Sequence, residues 1–154
     1  MKNMMLQFFL LLTLCSCAQQ LKKDNNSKYL VSQIQPVIDG FFENIQKDKY
    51  QFAIDELLNK NENIDSKDSL TISLKKKFIG INESSGKFMS KRLLRSKQLD
   101  DDLGVYTYLV KYEKKFYRFV FVFYNNGNIV KIYRFSFDDV IDIELEEALK
   151  LYVN

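Results

Sequence analysis

The segment FVFVFYNNGNIVKIY, at positions 119–133, joins two runs of aromatic and β-branched residues through an Asn-Gly pair. Such runs favour strands, because their side chains pack well on a pleated surface. Asn126-Gly127 is typical of a type I′ turn, in which both central residues have a positive φ. The segment therefore predicts a β-hairpin, and with it an antiparallel sheet in the carboxyl-terminal half of the chain.

The register of this hairpin follows from a two-residue turn. Phe121 is then opposite Ile132 on one face of the sheet, and Val122 is opposite Lys131 on the other. Both faces carry apolar side chains, although one apolar face is enough to cover a layer of helices. The second face is predicted to bound a pocket, contact a partner or lie under the carboxyl-terminal segment.

The elements around the hairpin complete an α+β pattern. Runs of β-branched and aromatic residues predict strands at 86–97, 105–112, 116–124 and 129–137. Helical periodicity predicts a short terminal helix at 139–152. Three more helices precede the strands, so the predicted fold has helices packed on a curved antiparallel sheet.

The first of these helices carries apolar residues at helical spacing from Leu30 to Ile45, and it contains Pro36. It therefore either begins near Ser32, with the proline in its first turn, or kinks at the proline.

The second helix is predicted to begin after an N-cap at Asp48, and the third to begin at Asp68 or Ser69 and to end at Gly80. The predicted core residues of these two helices are Tyr50, Ala53, Ile54, Leu57, Leu58, Leu70, Leu74, Phe78 and Ile79.

The element order, together with FFENIQKDKY at positions 41–50, resembles the nuclear-transport-factor-2-like and cystatin-like cone domains over Leu30 to Phe137. The resemblance implies a pocket between the sheet and the helices. Such cones serve small-ligand binding, protein docking and, less often, isomerase or dehydratase chemistry, and the fold does not decide among these. The terminal helix departs from the family pattern and would plug the open end of the cone.

Residues 1–16 are predicted to be an export signal, because Lys2 precedes an apolar run, LQFFLLLTL, that is too short to span a bilayer. The run is followed by LCSC at positions 14–17, which resembles the lipobox of bacterial lipoproteins. The resemblance implies removal of the signal, lipidation of Cys17 and anchoring in a membrane.

Other uses of this segment stay open. An ordinary secretory signal would be cut before Gln19. Cys15 and Cys17 would form a disulfide only with difficulty, because cysteines one residue apart rarely reach bridging geometry. Cys15 is the poorer lipid acceptor, since Leu14 would precede it where a small residue is required.

Residues 17–28 are predicted to be the lipidated cysteine and a flexible tether, because positions 18–28 are almost free of large apolar residues. Residues 29–154 then form a single domain. Ala18 follows the cysteine, and by resemblance to lipoprotein sorting signals this argues against retention in the inner membrane. The predicted location is the outer membrane, facing the periplasm, with surface exposure left open. The predicted partners are the membrane and an envelope protein or a small ligand.

Missing residue types exclude several kinds of chemistry. The chain has no His and no Cys after Cys17, so its folded part cannot contain a Ser-His-Asp triad, a Cys-His pair or a His/Cys zinc site. The acidic run at positions 100–102 lacks the spaced ligands of a calcium loop. No cofactor, metal site or nucleic-acid partner is predicted, and the domain is expected to be a monomer or weak dimer.

Four residues are candidate pocket groups: Asp55, Tyr106, Tyr108 and Arg134. An isomerase would need a carboxylate of raised pKa and an oxyanion donor in an apolar cavity. Nothing in their spacing shows that the four converge. A non-catalytic binding or docking protein is therefore the main hypothesis, and an enzyme is the alternative. For Arg134, the alternative to a pocket is a place at the sheet edge with its guanidinium in water.

Lys91, Arg92 and Arg95 belong to a run of basic residues that has Glu83 as its only acid between positions 75 and 97. Such a run fits an anionic partner: a lipid head group, a phosphorylated glycolipid or an acidic protein surface. The structural alternative is a solvated edge strand, on which Lys protects against aggregation.

Overall fold

The computed structural model describes residues 17–99, 102–127, 129–142 and 146, with side chains from Ser32 onward. The helices are α1 (Cys17–Gln46), α2 (Tyr50–Leu58), α3 (Ser69–Ile79) and α4 (Ile81–Ser85). The strands are β1 (Phe88–Leu99), β2 (Leu103–Tyr112), β3 (Phe116–Asn125) and β4 (Val130–Asp138). The predicted α+β class is confirmed. The terminal helix predicted at 139–152 lies largely outside the described residues.

The four strands form one open, curved sheet in the order β1-β2-β3-β4, with every neighbouring pair antiparallel. β1 and β4 are therefore its two edges. In β2 and β3, buried residues alternate with partly exposed ones, as expected for strands that cover a core with one face. We call the face that packs against the helices the inner face, and the opposite one the outer face.

The core lies between the inner face and the helices. α1 contributes Ile34, Ile38 and Ile45, all fully buried, at the spacing of one helical stripe. Every residue of α2 predicted to face inward is buried. Aromatic rings fill most of the remaining core, and the fully buried ones are Phe78, Tyr112, Phe119, Phe121 and Phe123.

α1 begins at Cys17 and continues through Pro36, rather than beginning near Ser32. The segment 17–28, for which composition predicts a flexible tether, is helical backbone. No Gly or Pro precedes Pro36 in this helix, and its Ala, Gln, Leu and Lys residues all favour helices. A low content of apolar side chains removes the force that would pack a segment against a core, but it does not prevent helical backbone.

Asp48 is not the N-cap of α2, contrary to the prediction. It has a positive φ of 57°, and Lys49 occupies the N-cap position without a side-chain hydrogen bond. The Asp48 backbone N–H donates to the Ile45 carbonyl at 2.9 Å. The connection between α1 and α2 is so short that one residue takes the left-handed conformation, which Asp tolerates better than most residues.

α3 begins as predicted, with the Asp68 carboxylate accepting hydrogen bonds from the N–H groups of Leu70 and Thr71. Leu70, however, is 78% exposed instead of buried. Burial increases along the helix towards Phe78, because only the last turns of α3 approach the core. The short helix α4, which was not predicted, follows directly and buries Ile81.

The loop between β3 and β4 is longer than a two-residue turn. Four residues separate the paired Asn125 and Val130. The side-chain carbonyl of Asn125 accepts a hydrogen bond from the N–H of Gly127, and that of Asn126 accepts one from Ile129, each at 3.1 Å. These asparagine bonds stabilise a wider loop, which moves the register two residues away from the predicted one.

A bulge in β4 moves the register by one further residue. Tyr133 is the extra residue, and it lies where the register shifts beyond Phe123. The predicted pair of Phe121 with Ile132 is therefore wrong, and Phe121 pairs with Phe135. Because side chains alternate between faces, a shift by an odd number of residues moves the later part of β4 to the opposite face from the one predicted.

Candidate functional site

The space in which a cone would hold a pocket is filled by aromatic rings. The Phe41 ring centroid lies 5.3 Å from those of Phe121 and Phe135, and the Phe42 ring stacks on Phe119 at 6.1 Å. An open cleft of about 140 Å³ lies elsewhere, between α1 and α2. It is lined by Pro36, Val37, Gly40, Phe41, Glu56, Leu57 and Lys60.

Tyr106 and Tyr108 lie on the inner face of β2 and are each 4% exposed. Their rings pack edge-on against Phe123 and Phe121, with centroids 6.3 and 6.0 Å apart. Burial raises the pKa of both phenols, because ionisation would place a charge in an apolar core. The two tyrosines are thus part of the packed core.

Asp55 lies on α2 and binds Lys75 Nζ through one carboxylate oxygen at 2.8 Å. Its other oxygen accepts a hydrogen bond from Gln51. Partial burial alone would raise the pKa of Asp55. The hydrogen bonds from Lys75 and Gln51 and the charge of Lys75 outweigh this effect, so the pKa lies below its ordinary value. Asp55 is therefore held ionised, whereas an acid–base isomerase needs a carboxyl of raised pKa.

Arg134 is exposed on the outer face, opposite Val122 of β3. The bulge at Tyr133 places it there, on the opposite face from Phe121. The four candidate pocket residues thus occupy three places: two in the core, one on α2 and one on the outer face. The structure does not bring them together.

Neighbouring basic residues of β1 point to opposite faces. Lys91 points inward, where its ammonium group binds the Asp39 carboxylate of α1 at 2.5 Å and lies 4.6 Å from the Phe42 ring centroid. Arg92 and Arg95 are both exposed on the outer face. They share that face because a bulge between Leu93 and Arg95 adds one residue to β1.

The outer face has an apolar centre and basic margins. Its centre consists of Val105, Thr107 and Leu109 of β2 with Val120, Val122 and Tyr124 of β3. Its margins carry Arg92, Arg95 and Lys97 of β1 and Arg134 of β4. The core that the described helices build lies on the inner face, so within the described ranges no helical layer covers this surface.

The two edges of the sheet differ. The loop after α2 covers β4: Asn61 donates its side-chain N–H to the Ile132 carbonyl at 2.8 Å, and Glu62 binds Lys131 at 2.7 Å. β1 pairs only with β2 among the described residues. It exposes four large apolar side chains, Met89, Leu93, Leu94 and Leu99.

Sequence reasoning missed this asymmetry. The signal within β1 is that FMSKRLLRSKQL does not alternate between apolar and polar residues, which is typical of a bulged strand with no buried face. A single Asn in a polar loop, such as Asn61, carries no sequence signal that it will reach a strand 71 positions away.

No helix in the described ranges combines the length and the hydropathy of a membrane span. The same residues hold no group of three or more His, Cys, Asp or Glu side chains arranged to bind a metal ion. No family model, curated protein or solved structure matches this chain.

Proposed function

We propose that this chain is a lipoprotein of the bacterial cell envelope, anchored through Cys17, that docks a partner protein on the outer face of its sheet. The observation that carries the proposal is this surface itself. It has apolar side chains in its centre, basic side chains along its margins, and no helical layer over it within the described residues. A contiguous apolar surface bordered by charge is typical of a protein interaction site.

The interior supports docking over catalysis. The aromatic rings between the helices and the inner face occupy the place where a substrate pocket would lie. The carboxylate that was the candidate base, Asp55, is held ionised by Lys75. The predicted location of the protein, on the periplasmic side of the outer membrane, would confine docking to proteins near that membrane.

Charge reversal on the outer face tests the proposal. In native envelopes, Arg92→Glu with Arg95→Glu should reduce the crosslinked or co-purified partner about tenfold, and rising salt should weaken capture by the wild type. The matched control is Lys76→Glu with Lys77→Glu, which reverses two exposed charges on α3. Lys91 is left unchanged because it binds Asp39.

Capture that is equal in both double variants would contradict docking on this face. Turnover of a small carbonyl substrate by the purified protein, with loss of activity on Asp55→Asn, would replace docking with the enzyme alternative.

A further inference from the structure

The fold protects one edge of its sheet and leaves the other open. Asn61 satisfies a β4 carbonyl, and Glu62 neutralises Lys131 next to it. β1 has no equivalent cover among the described residues, although it is the longest strand. The backbone N–H and C=O groups on the free side of an edge strand can pair with another extended chain.

The side chains of β1 favour pairing more than protection. A protected edge carries charge and few apolar groups, whereas Leu93 and Leu94 are 44% and 37% exposed. From Arg95 to Leu99, β1 pairs with β2 without a bulge. This regular stretch offers a straight edge for an additional strand.

The charges of β1 select the kind of strand that would pair. Residues 88–99 contain four basic residues and no acid. Pairing between two copies of β1 would bring like charges together across the new ladder, which is unfavourable. Acidic residues at alternate positions of a partner strand would instead lie beside Arg95 and Lys97, which share the outer face.

We propose that β1 is a β-augmentation site, at which an extended acidic segment of an envelope protein adds a fifth strand beside Arg95–Leu99. This inference rests on the proposed docking function and deepens it by assigning the chemistry of the partner and the mode of contact. Main-chain hydrogen bonds would supply much of the affinity, and the alternating acids would supply the specificity.

A peptide experiment tests both contributions. The probe is a short capped peptide of alternating Glu and Val, labelled for fluorescence anisotropy and titrated into the full-length protein in detergent. We expect Arg95→Glu with Lys97→Glu to weaken binding at least about tenfold. The control Lys76→Glu with Lys77→Glu should leave it unchanged. Circular dichroism verifies that each variant is folded.

Two altered peptides keep the test independent of protein folding. A peptide of alternating Lys and Val should not bind, because its charges repel those of β1. The Glu/Val peptide with every backbone nitrogen methylated should also fail, because it cannot donate main-chain hydrogen bonds. Binding of the methylated peptide equal to that of its parent would overturn the inference, since charge alone would then explain the affinity. Failure of the parent peptide to bind would overturn it too.

A crosslinking experiment separates this inference from the proposed function. A photo-crosslinking amino acid is placed at Ser96, which is exposed on the inner-face side of β1, or at Tyr133, which is 64% exposed on β4. Crosslinks in native envelopes from position 96 to an acidic segment support β1 as the site. Crosslinks from position 133 alone would support docking but refute β1 as the site of contact. Crosslinks from neither position refute docking itself.

Discussion

At the scale of single residues, the ion pair between Lys91 and Asp39 joins β1 to α1. Partial burial alone would raise the pKa of Asp39. Hydrogen bonds from Lys91 and Gln35 and the charge of Lys91 outweigh this effect, so the pKa lies below its ordinary value. Lys91 also lies over the Phe42 ring. A cation on an aromatic face beside a carboxylate holds the first half of β1 against the helix.

This pair predicts a pH dependence. Asp39 has a lower pKa in the folded chain than in the unfolded chain, so its pair stabilises the fold above the unfolded pKa, about 4, and this stabilisation is lost as the pH falls through the folded value. Asp39→Asn should therefore lower the free energy of unfolding more at pH 7 than near pH 3. Urea unfolding at both pH values measures this. When Lys91 is already replaced by Met, most of the effect of Asp39→Asn at pH 7 should disappear. An undiminished effect in that variant would show that the ion pair with Lys91 is not its cause.

The sequence predicts some of these residue-level features and not others. The inward residues of α2 follow from helical spacing within a single element, and all of them are buried. The inward position of Lys91 depends on where α1 crosses β1, and its partner is 52 positions away. Arg92 and Arg95 are both exposed, but neither their shared face nor the separation of Lys91 from them follows from charge alone.

At the scale of elements, bulges and loop lengths decide which side chains share a face. The strands themselves were predictable, because aromatic and β-branched runs mark all four of them approximately. The register of β4 was not, because Asn126-Gly127 is typical of a two-residue turn while the neighbouring asparagine side chains stabilise a wider one. The wider loop alone shifts the register by two residues and leaves the faces unchanged. The bulge at Tyr133 adds a third residue, and this places Arg134 on the outer face instead of the predicted pocket face.

The entry to β1 provides an element-scale prediction. Gly86 has a φ of 77°, and a Cβ at this position would collide with the Glu113 side chain. Gly86→Ala should therefore lower the free energy of unfolding by roughly 1–3 kcal/mol. The matched control is Gly40→Ala in α1, where no neighbouring atom lies within 4 Å of a Cβ. That change should be neutral or stabilise by up to about 1 kcal/mol, because Ala favours helices. Two substitutions with the same effect in thermal unfolding would contradict this account.

At the scale of the whole molecule, the proposed lipidation at Cys17 would determine where every surface described above operates. Metabolic labelling with a fatty-acid probe should mark the wild type and Cys15→Ala but not Cys17→Ala, because only Cys17 follows a small residue within LCSC. Cys15→Ala is the matched control for Cys17→Ala. Equal labelling of wild type and Cys17→Ala would show that Cys17 is not the lipid anchor. The restriction of partners to proteins near the membrane would then no longer hold.

The start of the folded unit follows from the core contacts of α1. Ile34 and Ile38 are both fully buried, and loss of a buried Ile typically costs about 2–5 kcal/mol. Since a domain of this size is stable by roughly 5–15 kcal/mol, removing both residues should leave little or no stable fold. A chain beginning at Ser32 should keep a mixed helix and strand circular dichroism spectrum and unfold cooperatively in urea. A chain beginning at Asp39 should be largely unfolded.

The outcome also determines what residues 17–31 contribute. If both truncated chains are equally unstable, residues before Ser32 belong to the cooperative unit. If the chain from Ser32 is as stable as the chain from Cys17, the first half of α1 adds length without stability. It would then act as a spacer between the anchor and the sheet, and a helix of 15 residues to Ser32 would span about 22 Å at 1.5 Å per residue. A spacer of that length would allow the sheet to lie beyond the lipid head groups, where a periplasmic protein can reach the outer face and the β1 edge.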